Sequence, residues 1–169
     1  QKWNANVASS SSIWFYSAGA LGNRGLQAHV PWTDNTIYYD HSGCCTAGTQ
    51  RLNASMTSFN PSFSWQTWHH VALVKNGGIK QIWINGVLFA SQSTGAAALL
   101  NDWTHLIVGQ QSGSANNTVR GMIDDFALFG TALNSTQIAA LAAGTEPMSL
   151  IVPAADRPPV ISSITPANH

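Results

Sequence analysis

Apolar residues along this chain come in short bursts rather than in stripes of helical period. Val71-Ala72-Leu73-Val74, Ile82-Trp83-Ile84 and Val87-Leu88-Phe89 are each set off by Asn, Gly or Ser, and similar β-branched and aromatic runs recur upstream and downstream. Short runs of this kind between turn-forming clusters read as strands of an antiparallel sandwich or barrel. The pattern predicts strands over 12–17, 25–30, 36–40, 50–55, 68–75, 80–84, 87–91, 105–109 and 121–129. Asn85-Gly86 between two apolar runs supplies the positive φ angles of a two-residue type I′ hairpin. Lys75-Asn76-Gly77-Gly78 is a second turn of the same kind, so 68–91 reads as a three-stranded meander.

A single helix is predicted, near the C-terminal end. Asn134 is placed to cap it, Gln137 completes a capping box, Ile138 and Leu141 share a face, and Gly144 suits the position just past its end. Its Ala-rich body, 138–143, is fewer than about two turns long, so packing must hold it. Beyond Glu146 the chain carries Pro147, Pro153, Pro158, Pro159 and Pro166 around two β-branched patches, Ile151-Val152 and Val160-Ile161. Proline removes backbone donors and forbids helix, which predicts an extended tail. The expected organisation is a sandwich over 1–146 and a tail or linker over 147–169.

The 169 residues include seven Lys plus Arg and seven Asp plus Glu, a net charge of zero, and only 8% are charged. That balance offers no electrostatic attraction to nucleic acid or to an anionic membrane. No apolar stretch approaches the roughly 18 residues of a bilayer span, so no membrane insertion is expected. The polar surface must be Ser, Thr, Asn, Gln and Gly, a composition common in secreted and cell-surface bacterial proteins.

Both cysteines are adjacent, Cys44 and Cys45. Neighbours cannot form an ordinary disulfide staple, though a strained vicinal ring can close in an oxidising compartment. Two free thiols are the alternative, and the spacing is wrong for a zinc site.

Catalytic chemistry finds little support. Glycoside hydrolysis uses paired carboxyl groups, yet Glu146 is the one glutamate, and Asp124 and Asp125 are neighbours in a predicted strand, where they would point to opposite faces. No serine stands in a nucleophile elbow with His69 or His70, which read as structural histidines. The chain is therefore read as no enzyme. A recognition site is better supported: His29, Trp32, Tyr38, Asp40 and His41 cluster around one turn next to Cys44-Cys45. Aromatic faces for stacking on sugar C–H groups, with a few planar hydrogen-bonding groups, are what a carbohydrate site needs. Trp83, opposite in facing to Ile82 and Ile84, is a second stacking candidate; the bland reading of all these rings is core packing. Asn53, Asn116 and Asn134 each head an N-glycosylation pattern.

The runs Trp68-His69-His70-Val71-Ala72-Leu73-Val74, Ile82-Trp83-Ile84-Asn85-Gly86 and Gly121-Met122-Ile123-Asp124-Asp125-Phe126-Ala127-Leu128-Phe129, followed by Ala132-Leu133 and the capped helix, resemble the laminin G-like, concanavalin A-like jelly-roll domains. His29-Val30-Pro31-Trp32 with Ile37-Tyr38-Tyr39-Asp40 resembles a bacterial extracellular variant. The resemblance implies an all-β, two-sheet antiparallel sandwich with glycan or protein ligands, often with calcium at a rim, and implies no reaction. Asp124 and Asp125 are the calcium candidates, since calcium takes several carboxylate and carbonyl oxygens.

In one respect the chain departs from that family. The opening strand that would lie beside 121–129 has no good counterpart, because 1–11 offers only Trp3 and Val7 as apolar anchors. An unfilled slot would recruit a strand, with Ile151-Val152 or Val160-Ile161 as donor. Two functions follow as expectations. The first is an extracellular, non-catalytic recognition or adhesion domain, carbohydrate-binding at 29–45. The second is a structural subunit that self-assembles into a filament or surface layer through its tail.

Overall fold

The computed structural model describes residues 1–3, 13–16, 24–43, 45–60, 62–100, 103–110 and 117–150. Among the described residues ten strands and two α-helices run in the order β1 (Lys2–Trp3), β2 (Ile13–Tyr16), β3 (Arg24–His29), β4 (Thr36–His41), β5 (Arg51–Ser55), α1 (Met56–Phe59), β6 (Val71–Asn76), β7 (Ile79–Ile84), β8 (Val87–Gln92), β9 (His105–Val108), β10 (Gly121–Met122) and α2 (Ser135–Ala142). A 3-10 turn, Pro147–Leu150, follows. All pairing is antiparallel between these strands: a five-stranded sheet β5-β4-β3-β2-β9, a three-stranded sheet β6-β7-β8, and the pair β1-β10. The expected two-sheet antiparallel sandwich with one short C-terminal helix is the architecture observed.

Strand alternation sorts the two faces of each sheet. Ala28 of β3, Ile37 and Tyr39 of β4, and Ile82 and Ile84 of β7 turn inward and form one core with Trp3, Met56 and Trp65. Burial of these side chains at roughly 25 cal/mol per Å² of apolar area is the main favourable contribution to the fold. The outer face of the three-stranded sheet is covered by α2: Val74, Trp83 and Ile138 make a second cluster with Ala72 and Leu133. Asn134 and Gln137 form the predicted reciprocal capping box. At the Asn85-Gly86 turn both residues have positive φ, 51° and 79°, as a type I′ hairpin requires. The turn after Asn76 differs from expectation, because only Gly77 has positive φ. That is the type II′ pattern, which twists the same way with one left-handed residue.

Three expectations are corrected. An opening strand exists: Lys2 pairs with Met122 and Trp3 with Gly121, and Trp3 is wholly buried, its indole N–H donating to the Val30 carbonyl at 3.0 Å. One large aromatic ring is enough to anchor a two-residue strand that no run of apolar residues announces. The strand predicted over 121–129 ends at Met122, and Asp125 takes a left-handed conformation, φ 52°, which is incompatible with an extended ladder. Tail residues 147–150 are a 3-10 turn rather than extended, with the Gln137 amide donating to the Leu150 carbonyl at 3.3 Å. Ile151, Val152, Val160 and Ile161 lie outside the described residues. Among the described residues no helix is long and apolar enough to cross a membrane.

Candidate functional site

The outward residues of β3, β4 and β5 place polar and aromatic groups on the face of the five-stranded sheet that points away from the core. Register aligns His29 with Tyr38, Gln27 with Asp40, Tyr38 with Asn53, and Asp40 with Arg51. Side chains opposite one another across antiparallel strands share a face, so hairpins β3-β4 and β4-β5 gather these residues into one patch.

The β3-β4 connection shapes its rim. The Val30–Pro31 peptide is cis, the Trp32 N–H donates to the Thr36 carbonyl at 2.8 Å, and Asn35 closes the loop at φ 58°. Trp32 is thereby folded back onto the sheet, with its ring 4.2 Å from that of His29, while the His29 and Tyr38 rings stand 6.3 Å apart, edge to face. His29 is only 6% exposed and its Nε2 is 2.6 Å from the Gln27 amide, so it supports the rings rather than reaching solvent. Trp32 and Tyr38 are half-buried and keep part of their rings in water.

Asp34, in the loop, binds the patch together. Its Oδ1 accepts the Thr36 N–H at 3.0 Å and its Oδ2 accepts the Tyr38 hydroxyl at 2.6 Å. That hydrogen bond, together with burial, raises the pKa of the Tyr38 phenol, so Tyr38 stays protonated as a donor. Asp40 is buried and accepts two bonds from Arg51, at 2.7 and 2.6 Å. The Arg51 guanidinium in turn lies 4.5 Å from the centre of the Tyr38 ring. Asp40 was expected to meet a ligand; it instead neutralises and orients Arg51, because an unpaired buried carboxylate would be costly.

Trp83 does not join the patch. It lies on the other sheet, 8% exposed under α2, with its indole N–H donating to Gln81 Oε1 at 3.1 Å. His41, also in the predicted neighbourhood, points into the core, where its Nε2 lies 2.7 Å from the Ala97 carbonyl. His69 is held by Ser64, Thr67 and Asn85, the structural role expected of it. Asn134 is occupied as a helix cap.

Asp124 and Asp125, the calcium candidates, lie in the irregular segment after β10. Asp124 Oδ1 accepts the Asp125 N–H at 2.9 Å, both side chains are exposed, and no third acidic or histidine side chain joins them among the described residues. Calcium takes six to eight oxygens from carboxylates, carbonyls and water, so these two carboxylates would by themselves supply only part of its shell.

The loop after β4 is tied down by Gln50, whose Oε1 accepts the N–H groups of Cys45 and Thr46 at 3.2 Å and whose amide donates to the Ser42 carbonyl at 3.0 Å. Cys45 is disulfide-bonded. Cys44 lies outside the described residues.

Sequence reasoning did not place Arg51 in this patch, and it read Asp34 as a turn former, Asn53 as a glycosylation pattern and Trp103 as packing. The Trp103 indole packs on Gly25, where any Cβ would sit 2.1 Å from its nitrogen, on the same face as Gln27 and His29. Two-residue alternation from Tyr38 through the β4-β5 pairing would have pointed to Arg51 and Asn53; nothing local marks Trp103, which is brought in from a distant loop.

The laminin G family model, described as the concanavalin A-like lectin/glucanases superfamily, matches residues 2–139. No curated protein matches the chain. Among solved structures, part of an S-layer domain-containing protein from Clostridium thermocellum matches at 20% identity, covering 84% of this chain and 67% of that one, with a TM-score of 0.40.

Proposed function

The chain belongs to the concanavalin A-like lectin/glucanase superfamily, and from that premise we propose that it is a non-catalytic extracellular recognition domain that binds carbohydrate on the outer face of its five-stranded sheet. The observation that carries this is the part-exposed pair of rings, Trp32 and Tyr38, braced from below by His29 and edged by the Asp34 carboxylate. A pyranose presents an apolar C–H face and equatorial hydroxyls; the rings suit the first and the carboxylate, with lone pairs to spare, suits the second. Several features favour binding without chemistry. Glycoside hydrolysis needs two carboxyls across one bond, whereas Asp40 is sequestered by Arg51 and Glu146 stands next to the 3-10 turn beyond α2. A disulfide at Cys45 and the sparse charge favour an oxidising, extracellular setting. Cys44 is the one other cysteine in the chain, and we pair it with Cys45.

Glycan-array screening followed by titration calorimetry tests this reading. The expected result is binding that Trp32→Ala abolishes while the melting temperature changes little. A Trp32→Ala protein that binds as well as wild type, or a wild type that binds no glycan, sinks it. The rival, assembly through 151–152 or 160–161, loses one of its supports, since Lys2–Trp3 already pairs with Gly121–Met122. Light scattering on the full chain and on a version ending at Leu150 is expected to give the same monomeric state; fibres formed only by the full chain would restore the rival.

A further inference from the structure

The sheet face that carries the aromatic patch ends at edge strand β5, and β5 meets edge strand β8 of the other sheet at an open seam. A shallow, open depression of about 410 Å³ lies there. Arg51 and Asn53 line it from β5, Gln92, Ser93 and Thr94 line it from the end of β8 and beyond, and Gly48 closes it. The Gln92 amide donates to the carbonyls of Gly48 and Thr94, which pins the two walls together.

Arg51 and Asn53 belong to both features. The Arg51 guanidinium covers the Tyr38 ring and Asn53 is the register partner of Tyr38, so the rings and the groove share β5 as a common wall. Their chemistries are complementary: the patch supplies apolar ring faces, and the groove supplies amides and hydroxyls. Charge narrows the ligand further. Arg51 is matched by two bonds to Asp40, and the other groove side chains are neutral. The remaining formal charge among these residues is the Asp34 carboxylate, which is negative.

We propose that the ligand is an uncharged oligosaccharide that stacks one residue on Trp32 and Tyr38 and runs over Arg51 and Asn53 into the groove. This rests on the recognition reading above. A sulfated or uronic-acid chain would bring like charge to Asp34, and the one cation among these described patch and groove residues, Arg51, is already bonded to Asp40, which disfavours such ligands. Uncharged chains carry no ion-release contribution, so their affinity is insensitive to salt.

The test is titration calorimetry with a neutral oligosaccharide series, mono- to hexasaccharide, drawn from array hits, beside matched sulfated chains at low and high salt. The longest neutral member is expected to bind about tenfold more tightly than the monosaccharide, at either salt. Ser93→Arg, which fills the groove from an exposed position, is expected to bring long-chain affinity down to the monosaccharide level and leave the monosaccharide unchanged. Asp34→Asn is expected to narrow the discrimination against sulfated chains. Preference for sulfated chains with affinity that falls as salt rises overturns the proposal. Equal affinity for short and long chains, or long-chain affinity untouched by Ser93→Arg, overturns it too, while leaving the aromatic patch as a site. No binding by any glycan removes both this inference and the recognition reading.

Discussion

Truncating Arg51 takes two charged donors from the buried Asp40 carboxylate, so Arg51→Ala is expected to destabilise the protein by about 3 kcal/mol in urea unfolding. Arg51→Lys keeps the charge but loses the fork that spans both carboxylate oxygens, so an intermediate loss is expected. The pair also shows what a single residue reveals in a sequence. Asp40 stood out as a polar group among aromatics, but its role depends on Arg51, eleven positions later, which reaches it only through the β4-β5 register. Trp32 and Tyr38 were legible together because one tight loop separates them. Trp83 looked equivalent by composition and alternation, yet alternation says only that it faces away from Ile82 and Ile84. What covers that face is decided by where α2 lands.

The meander β6-β7-β8 was legible because each of its turns is written locally. Gly86 carries an additional load: its φ is +79°, and a Cβ there would lie 3.2 Å from Ala139 Cα and from Ala142 Cβ of α2. Gly86→Ala therefore strains the turn and pushes the helix backbone, and a cost of more than about 1 kcal/mol is expected from chemical denaturation. Asn134→Ala removes the acceptor for the Gln137 N–H and is expected to cost about 1 kcal/mol, visible as earlier loss of helix in circular dichroism melts. The opening strand is the opposite case. Two residues make too short a pattern to read, and its existence depends on Trp3 filling the core beside Trp65 and Val30. Trp3→Ala is accordingly expected to be severe, about 3–5 kcal/mol.

Lys80 and His41 make the stability of the whole sandwich depend on pH. Lys80 reaches across the core from β7 to donate to the carbonyls of Tyr39 at 2.6 Å and Gln50 at 2.9 Å, with its ammonium 4.2 Å from the Tyr39 ring centre. Burial nevertheless lowers its pKa to about 7 from 10.5. Between those values the unfolded chain binds a proton that the native state does not, so stability rises with pH across that window, by up to about 4–5 kcal/mol. Burial also lowers the His41 pKa below 6.5, with Lys80 and Lys75 adding to the shift and the hydrogen bond to Ala97 opposing it. Protonation there favours the unfolded chain as pH falls below 6.5. Both effects have the same sign: the melting temperature is expected to climb from pH 5 to about 9. Lys80→Met is expected to flatten the limb above pH 7 and only to weaken the limb below 6.5, where burial is the larger cause. A wild-type melting temperature that is flat from pH 7 to 9 would contradict the assignment.

The division between chain and fold follows from the range of the interactions. The sequence by itself determined the all-β class, most strand positions, where both turns of the meander fall, the capped helix and the aromatic loop at 29–38, because alternation, turn residues and caps act over a few residues. Tertiary structure alone decided that Trp83 and His41 are internal, that Asp40 serves Arg51, that two N-terminal residues complete a pairing with β10, and that Arg51 and Asn53 stand between rings and groove. Each of those depends on which faces meet after strands from separate parts of the chain have paired, and burial, charge matching and register are properties of that meeting rather than of any local segment.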